Sequence, residues 1–437
     1  MRLSTSLRLN AQKGLVTPYD PTLTLSLQFA TRQAYVSDFG PLPTFTNATT
    51  TARTYVGSDG LLKTAGLNVP RIEFNPITRQ CLGLLIEEQR QNLTPNSEDF
   101  TQAAWTKLNV TAASNVAISP DGNTTADSIT ETSANAQHYI NTQSYSVSSG
   151  TTYTYSVFLK KGTGSTAPDW ISILMFTGAF GAKYIAFNVS TGAFGASSGG
   201  LTGTSKQYPN GWWRASVSSA AIATGVLGGA YIAFTNNVNV ASAPTYTGQT
   251  TSNIFVWGAQ FEAGSFASSY IPTTTTSLVR SADVCSITGA AFTGFYNQTE
   301  GAMVVKGSRI GLQPSPVPGY IQIDDGTANE RILLYNSGVS EDYLVTDNGL
   351  TSANLSTGAT VPNNTLFGMA ARYKNSDFAV SRSGASSVTV ASGSVPTVTA
   401  FRIGNRNTSG FHNGHIHTIQ YFNAIKTNAQ LQALSTP

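Results

Sequence analysis

Apolar and polar residues alternate with a period of two over many short stretches of this chain, and seldom with the 3.6-residue period of a helix. Leu23, Leu25, Leu27 and Phe29 alternate with Thr24, Ser26 and Gln28, which predicts a half-buried strand. A second short strand is expected at residues 53–56, ahead of the turn Gly57-Ser58-Asp59-Gly60. The remainder of residues 1–95 reads as an extended segment poor in apolar contacts, which gains by packing against a partner or a copy of itself. Residues 82–88, LGLLIEE, form an apolar run whose two carboxylates, Glu87 and Glu88, suit a solvated strand end. Adjacent strand residues face opposite ways, so this pair cannot flank one bond. Residues 74–100 mark the seam between the extended segment and two long strand-rich blocks.

Beyond the seam, strands are expected near 153–159, 170–176, 184–189, 212–217, 230–234 and 254–261. Each is short, rich in aromatic and β-branched residues, and bounded by Gly, Pro, Asn or Ser. A stretch of small polar residues around Pro272 links this block to a second one, with strands near 301–306, 320–324, 331–335, 366–373, 378–380, 401–405 and 414–422. Leu431 and Leu434, three apart after Thr427-Asn428, predict a short closing helix. The expected fold is mainly β: two β-sandwich (jelly-roll) domains, 96–284 and 285–437, after an extended N-terminal attachment segment, 1–95.

Composition narrows the function. Charged residues are 11% of the 437, well below the ordinary share, and Ser, Thr, Asn and Gly take their place. The net charge of +3 comes without a Lys/Arg run, which argues against nucleic-acid binding and against an anionic membrane surface. No apolar stretch of signal-peptide or membrane-spanning length is present, so folding in a cytoplasm and no membrane insertion are expected. Asn109 and Asn188 head glycosylation sequons that composition alone accounts for. Cys81 and Cys285 are expected to be two unconnected thiols.

Candidate chemistry is sparse. Trp212 and Trp213, followed by Arg214, offer a sugar-stacking platform, although only one of two consecutive strand tryptophans can face a ligand. Trp105, Trp170 and Trp257 are expected in the core. His412, His415 and His417 cluster without a nearby carboxylate or thiol, which suits a partly exposed strand end better than a metal site. Asp324-Asp325-Gly326 with Asn329-Glu330 carries oxygen ligands that Ca²⁺ accepts, but the spacing departs from an EF-hand loop and a β-turn accounts for it. No metal or cofactor is therefore expected. Glu330 and the adjacent Glu341-Asp342 do not form a retaining-glycosidase pair, and no nucleophile elbow, P-loop or dinucleotide fingerprint occurs. No enzymatic activity is expected.

An ordered set of short stretches carries a resemblance. They are TYVGSDGLLKTA (54–65), NVPRIE (68–73), GLLIEEQR (83–90), NSEDF (96–100) with Trp105, Pro120-Asp121-Gly122 with Ala126-Asp127, YTYSVF (153–158), GWWR (211–214), GAQFE (258–262) and SYIPT (269–273). Together they resemble tailed-bacteriophage head-spike or tail-fibre proteins with carbohydrate-binding-module-like domains, over roughly residues 45–285. The last block, with IGNR (403–406) and NGHI (413–416), resembles a concanavalin-A-like (laminin-G-like) sandwich. The resemblance implies a virion protein that folds in the host bacterial cytoplasm and is released by lysis. Residues 1–95 would dock on other virion proteins, a homotrimer is expected, and the sandwiches would bind host cell-surface glycan. The low charge favours neutral sugars. Two alternatives remain: a purely structural decoration or adaptor, and a glycan-depolymerising tailspike enzyme.

Overall fold

The computed structural model describes residues 20–49, 52–142, 144–175, 179–227, 229–311, 317–407 and 409–437. Among them the structure is mainly β, arranged as two sandwiches, as the period-two pattern predicts. The closing helix forms at Asn428–Leu434, where Thr427 and Gln430 exchange hydrogen bonds in a capping box.

The strand Gly414–Phe422 organises the C-terminal sandwich. Along one edge it pairs with Glu300–Arg309. Its other edge is covered by two strands from the start of the chain. Cys81–Ile86 takes the first half, with Leu84 opposite Ile416, and Leu23–Leu27 takes the second, with Leu27 opposite Ile419. The facing sheet runs Thr44–Thr46, Val284–Thr288, Ala400–Ile403, Gly319–Asp324, Arg331–Asn336, Glu341–Asp347 and Leu350–Ser356. Leu25, Leu27, Phe29, Phe45, Leu84 and Ile86 all enter the core between these sheets. Burying each is worth about 1.5–3 kcal/mol.

The expected extended attachment segment is instead built into both blocks: Leu23–Leu27, Thr44–Thr46 and Cys81–Ile86 add strands to the C-terminal sandwich, whereas Val56 and Leu62 pack in a small core with Phe158, Trp212 and Trp257 of the other one. The alternation at 23–29 marks a strand only over Leu23–Leu27, and Phe29 opens a short helix; Leu25, Leu27 and Phe29 enter the core between the sheets, while a register break sends Leu23 to a separate cluster with Phe422 and Leu431. The part of the expected docking segment at residues 1–19 lies outside the described residues.

The other sandwich is an insertion. Its two sheets are each six-stranded and pack around a core of their own. The chain leaves for it through Arg90–Asn92 and returns through Leu278–Arg280, and these strands pair with each other, Asn92 opposite Leu278. Val284, expected as the last residue of the first block, opens a strand of the C-terminal sandwich.

Beside that neck lies a fully buried ionic cluster. Asp283 binds Arg71 at 2.5 Å and Arg53 at 3.2 Å, while Glu87 binds Arg71 at 2.8 Å and Arg280 at 2.9 Å. Ser269 donates to both oxygens of Glu87, its N–H and its hydroxyl each at 2.7 Å. Glu87 is therefore not at a solvated strand end. Burial alone would raise its pKa, but Arg280, Arg71 and Ser269 outweigh burial and hold it far below the usual carboxylate range. Glu88, the next residue, pairs with Arg90 at 2.6 Å.

Candidate functional site

The strand Trp213–Ala220 sets one wall of a cleft between the sandwiches. Ala215 and Val217 point into the insertion's core, so Arg214, Ser216 and Ser218 point out of the sheet. The neighbouring edge strand Thr202–Gln207 adds Thr202, Thr204 and Lys206 to the same face, with Lys206 directly opposite Arg214. This sheet face is rich in hydroxyls, too polar to pack dry against a second sandwich, and a cleft of about 620 Å³ remains. The opposite wall comes from the C-terminal sandwich, with Glu73, Asn75, Asn364 and His415, and the returning linker 265–270 forms part of the lining. Tyr55 and Phe266, both half-buried, supply aromatic surface; the Arg90 guanidinium lies 4.8 Å from the Phe266 ring centre.

Glu73 is the one carboxylate among the described lining residues. Its Oε2 lies 2.7 Å from His415 Nε2, and its Oε1 accepts the Val56 N–H at 3.1 Å. Burial pushes its pKa up, but Lys206 across the cleft, His415 and the Val56 N–H outweigh that and hold it at about 2, against an ordinary 4.5. A carboxyl depressed on folding stabilises the folded state above its unfolded value, and that contribution fades as pH falls from 4.5 towards about 2. It amounts to about 3 kcal/mol. Glu73→Gln should therefore flatten the acid limb of a plot of urea midpoint against pH; an unchanged acid limb would contradict the assignment.

The three residues singled out by sequence part company here. Trp212 is completely buried in a small core with Phe158, Trp257 and Tyr270, and its indole N–H donates to the Ile118 carbonyl at 2.9 Å, so it is closed to a ligand. Trp213 faces the opposite way, half-buried against the insertion's main core, with its ring lying on Gly192. A Cβ at Gly192 would come within 2.2 Å of that ring. Arg214 alone lines the cleft, its guanidinium donating to the Ser268 carbonyl at 2.8 Å and to Ser156 Oγ at 2.9 Å. Alternation along the strand separates Arg214 from Trp213, so the structure does not bring the three residues to one face.

Other candidates also settle. Trp105 and Trp257 are in cores, whereas Trp170 is only half-buried. His412 and His415 are buried rather than part of an exposed strand end. Burial lowers the pKa of His412 to about 3 and that of His417 to about 4, so both are neutral. Both oxygens of Asp324 are taken up by Arg402, at 2.7 and 3.0 Å, and by Gln322 and the Gly326 N–H. Among the described residues no cluster of His, Cys, Asp or Glu suits a metal ion. Cys81 and Cys285 are both free and buried, with burial pushing Cys285 up to about 12. No described helix is long and apolar enough to cross a membrane.

Glu73 and Lys206 do not stand out in the sequence. The one available signal is Glu73 itself, an acid between Ile72 and Phe74 in a chain with few charges. Lys206 carries no such mark, because only strand pairing places it beside Arg214.

No protein-family model matches the chain, and no curated protein matches it. Among solved structures, the CBM40 module of a Ruminococcus gnavus IT-sialidase bound to α2,3-sialyllactose is 12% identical, covering 33% of this chain and 87% of that one at a TM-score of 0.29. Domains LG4-5 of the mouse laminin α1 chain are 9% identical, covering 66% of this chain and 85% of that one at a TM-score of 0.21. A Trypanosoma rangeli sialidase in complex with the inhibitor DANA is 10% identical, covering 71% of this chain and 60% of that one at a TM-score of 0.25. At these TM-scores the likenesses carry no inference about this chain.

Proposed function

We propose that this chain is a bacteriophage fibre or spike protein that binds host cell-surface glycan in the cleft between its two sandwiches. The observation that carries the binding half is the cleft itself: about 620 Å³, lined by serine and threonine hydroxyls and asparagine amides, with Tyr55 adding aromatic surface of the kind that packs on a pyranose. Such a lining exchanges hydrogen bonds with sugar hydroxyls. Each contact is weak, so several copies per particle, a trimer being the expectation, supply the avidity. The virion half rests on the ordered set of motifs from residue 54 to residue 273 and on the hydroxyl-rich, charge-poor composition. A binding rather than a depolymerising role is favoured because Glu73 has no second carboxylate beside it among the described lining residues.

Electron microscopy of purified particles labelled with an antibody against residues 286–437 tests this reading. Label on projections away from the particle surface is the expected result. Label that appears only after the particles are dissociated would replace display with a structural assembly role.

A further inference from the structure

Charge in the cleft is unevenly spent. The insertion's wall brings two cations, Lys206 and Arg214, which face each other across adjacent strands. The opposite wall brings one carboxylate, and both oxygens of Glu73 already have partners in His415 and the Val56 N–H. Lys206 and Arg214 against Glu73 leave an excess of one positive charge among these three groups. Lys206 is exposed to the water of the cleft, its ammonium 5.7 Å from the Tyr208 ring centre, and it makes no ion pair among the described residues. Behind it the Arg214 side chain is more than nine-tenths buried, and its Nε has no hydrogen-bond partner among the described residues.

We propose that the cleft selects a glycan carrying a single negative charge per bound residue, a uronate or a sugar phosphodiester, with the anion seated on Lys206 and Arg214 strengthening the field from behind. This rests on the cleft being the glycan site, and it replaces the preference for neutral sugars suggested by overall composition. The physical ground is local. A neutral sugar leaves the Lys206 ammonium hydrated as before, whereas an anion gains a charge-assisted hydrogen bond between walls where water screens less than in bulk.

The test uses the full chain and a glycan panel in which each acidic member is paired with its neutral counterpart. Oligogalacturonate against its methyl ester represents the uronates, and a glycosylglycerol-phosphate oligomer against free glycosylglycerol represents the phosphodiesters. One charged member should bind about ten-fold more tightly than its neutral partner, with the preference shrinking in salt. Lys206→Met should abolish that preference and Lys206→Arg should keep it; the arm that responds identifies the anion. Equal binding of charged and neutral members would overturn the selectivity while leaving the glycan site standing. A charge preference that survives Lys206→Met would overturn the placement of the anion. No binding anywhere on the panel would overturn the glycan site and this proposal with it.

Discussion

Replacing Asp283 with alanine should lower the unfolding free energy by about 3–5 kcal/mol, the range for removing one partner from a buried ion pair. Asp283 is completely buried and satisfies Arg53, Arg71, the Asn47 amide and the Glu87 N–H. Its removal leaves three buried guanidinium groups, those of Arg53, Arg71 and Arg280, with Glu87 as their only counter-charge in the cluster. The loss comes from stranding charge, not from any large net gain in having buried the cluster. Lys161→Ala is the control: its pair with Asp169 at 2.8 Å is exposed, and such pairs contribute about 0–1 kcal/mol. Urea denaturation of both variants checks the contrast. An Asp283→Ala effect no larger than that of Lys161→Ala would show that the cluster does not hold the two sandwiches to their neck.

A fragment of residues 285–437 should show no cooperative unfolding transition, although its sequence looks like a complete sandwich. It lacks both strands that cover the second edge of Gly414–Phe422, and its core loses Leu25, Leu27, Phe29, Phe45, Leu84 and Ile86. A bare edge beside a stripped core favours aggregation. Joining residues 20–92 to 278–437 through an Asn-Gly turn should restore folding, because Asn92 and Leu278 are already antiparallel partners and a two-residue turn closes that ladder as a hairpin. Circular dichroism during thermal melting distinguishes the two chains. Cooperative folding of 285–437 alone would contradict the insertion.

Local physics makes much of this molecule legible from its sequence. Period-two alternation locates most strands, and the Thr427 cap locates the closing helix. Partnership is not legible. Leu23, Leu25 and Leu27 announce an apolar face but not which strand will cover it, and the covering strand lies about 390 residues further on. The same limit hides the ionic cluster. Arg53, Arg71, Glu87, Arg280 and Asp283 are scattered through the chain, and only the folded neck draws them together. Glu87 misleads because a carboxylate ending an apolar run ordinarily meets water, and nothing nearby in sequence names Arg71 and Arg280 as its partners. At the site, alternation correctly sets Trp212 and Trp213 on opposite faces, but it says nothing of the second sandwich that makes Arg214 and Lys206 one wall of a cleft.

Filling the cleft from its exposed edge should keep glycan from entering between the sandwiches. Thr204 lines the cleft on the outermost strand of its sheet and is exposed, so Thr204→Trp should narrow the cleft while leaving the unfolding midpoint unchanged. Binding of the wild-type chain and of this variant to isolated host-cell envelope polysaccharide would be measured by surface plasmon resonance. Wild-type binding should be saturable and should fall at least about ten-fold in the variant, the loss of one or two well-made contacts. Equal binding by the two chains would place the glycan elsewhere, outside the cleft.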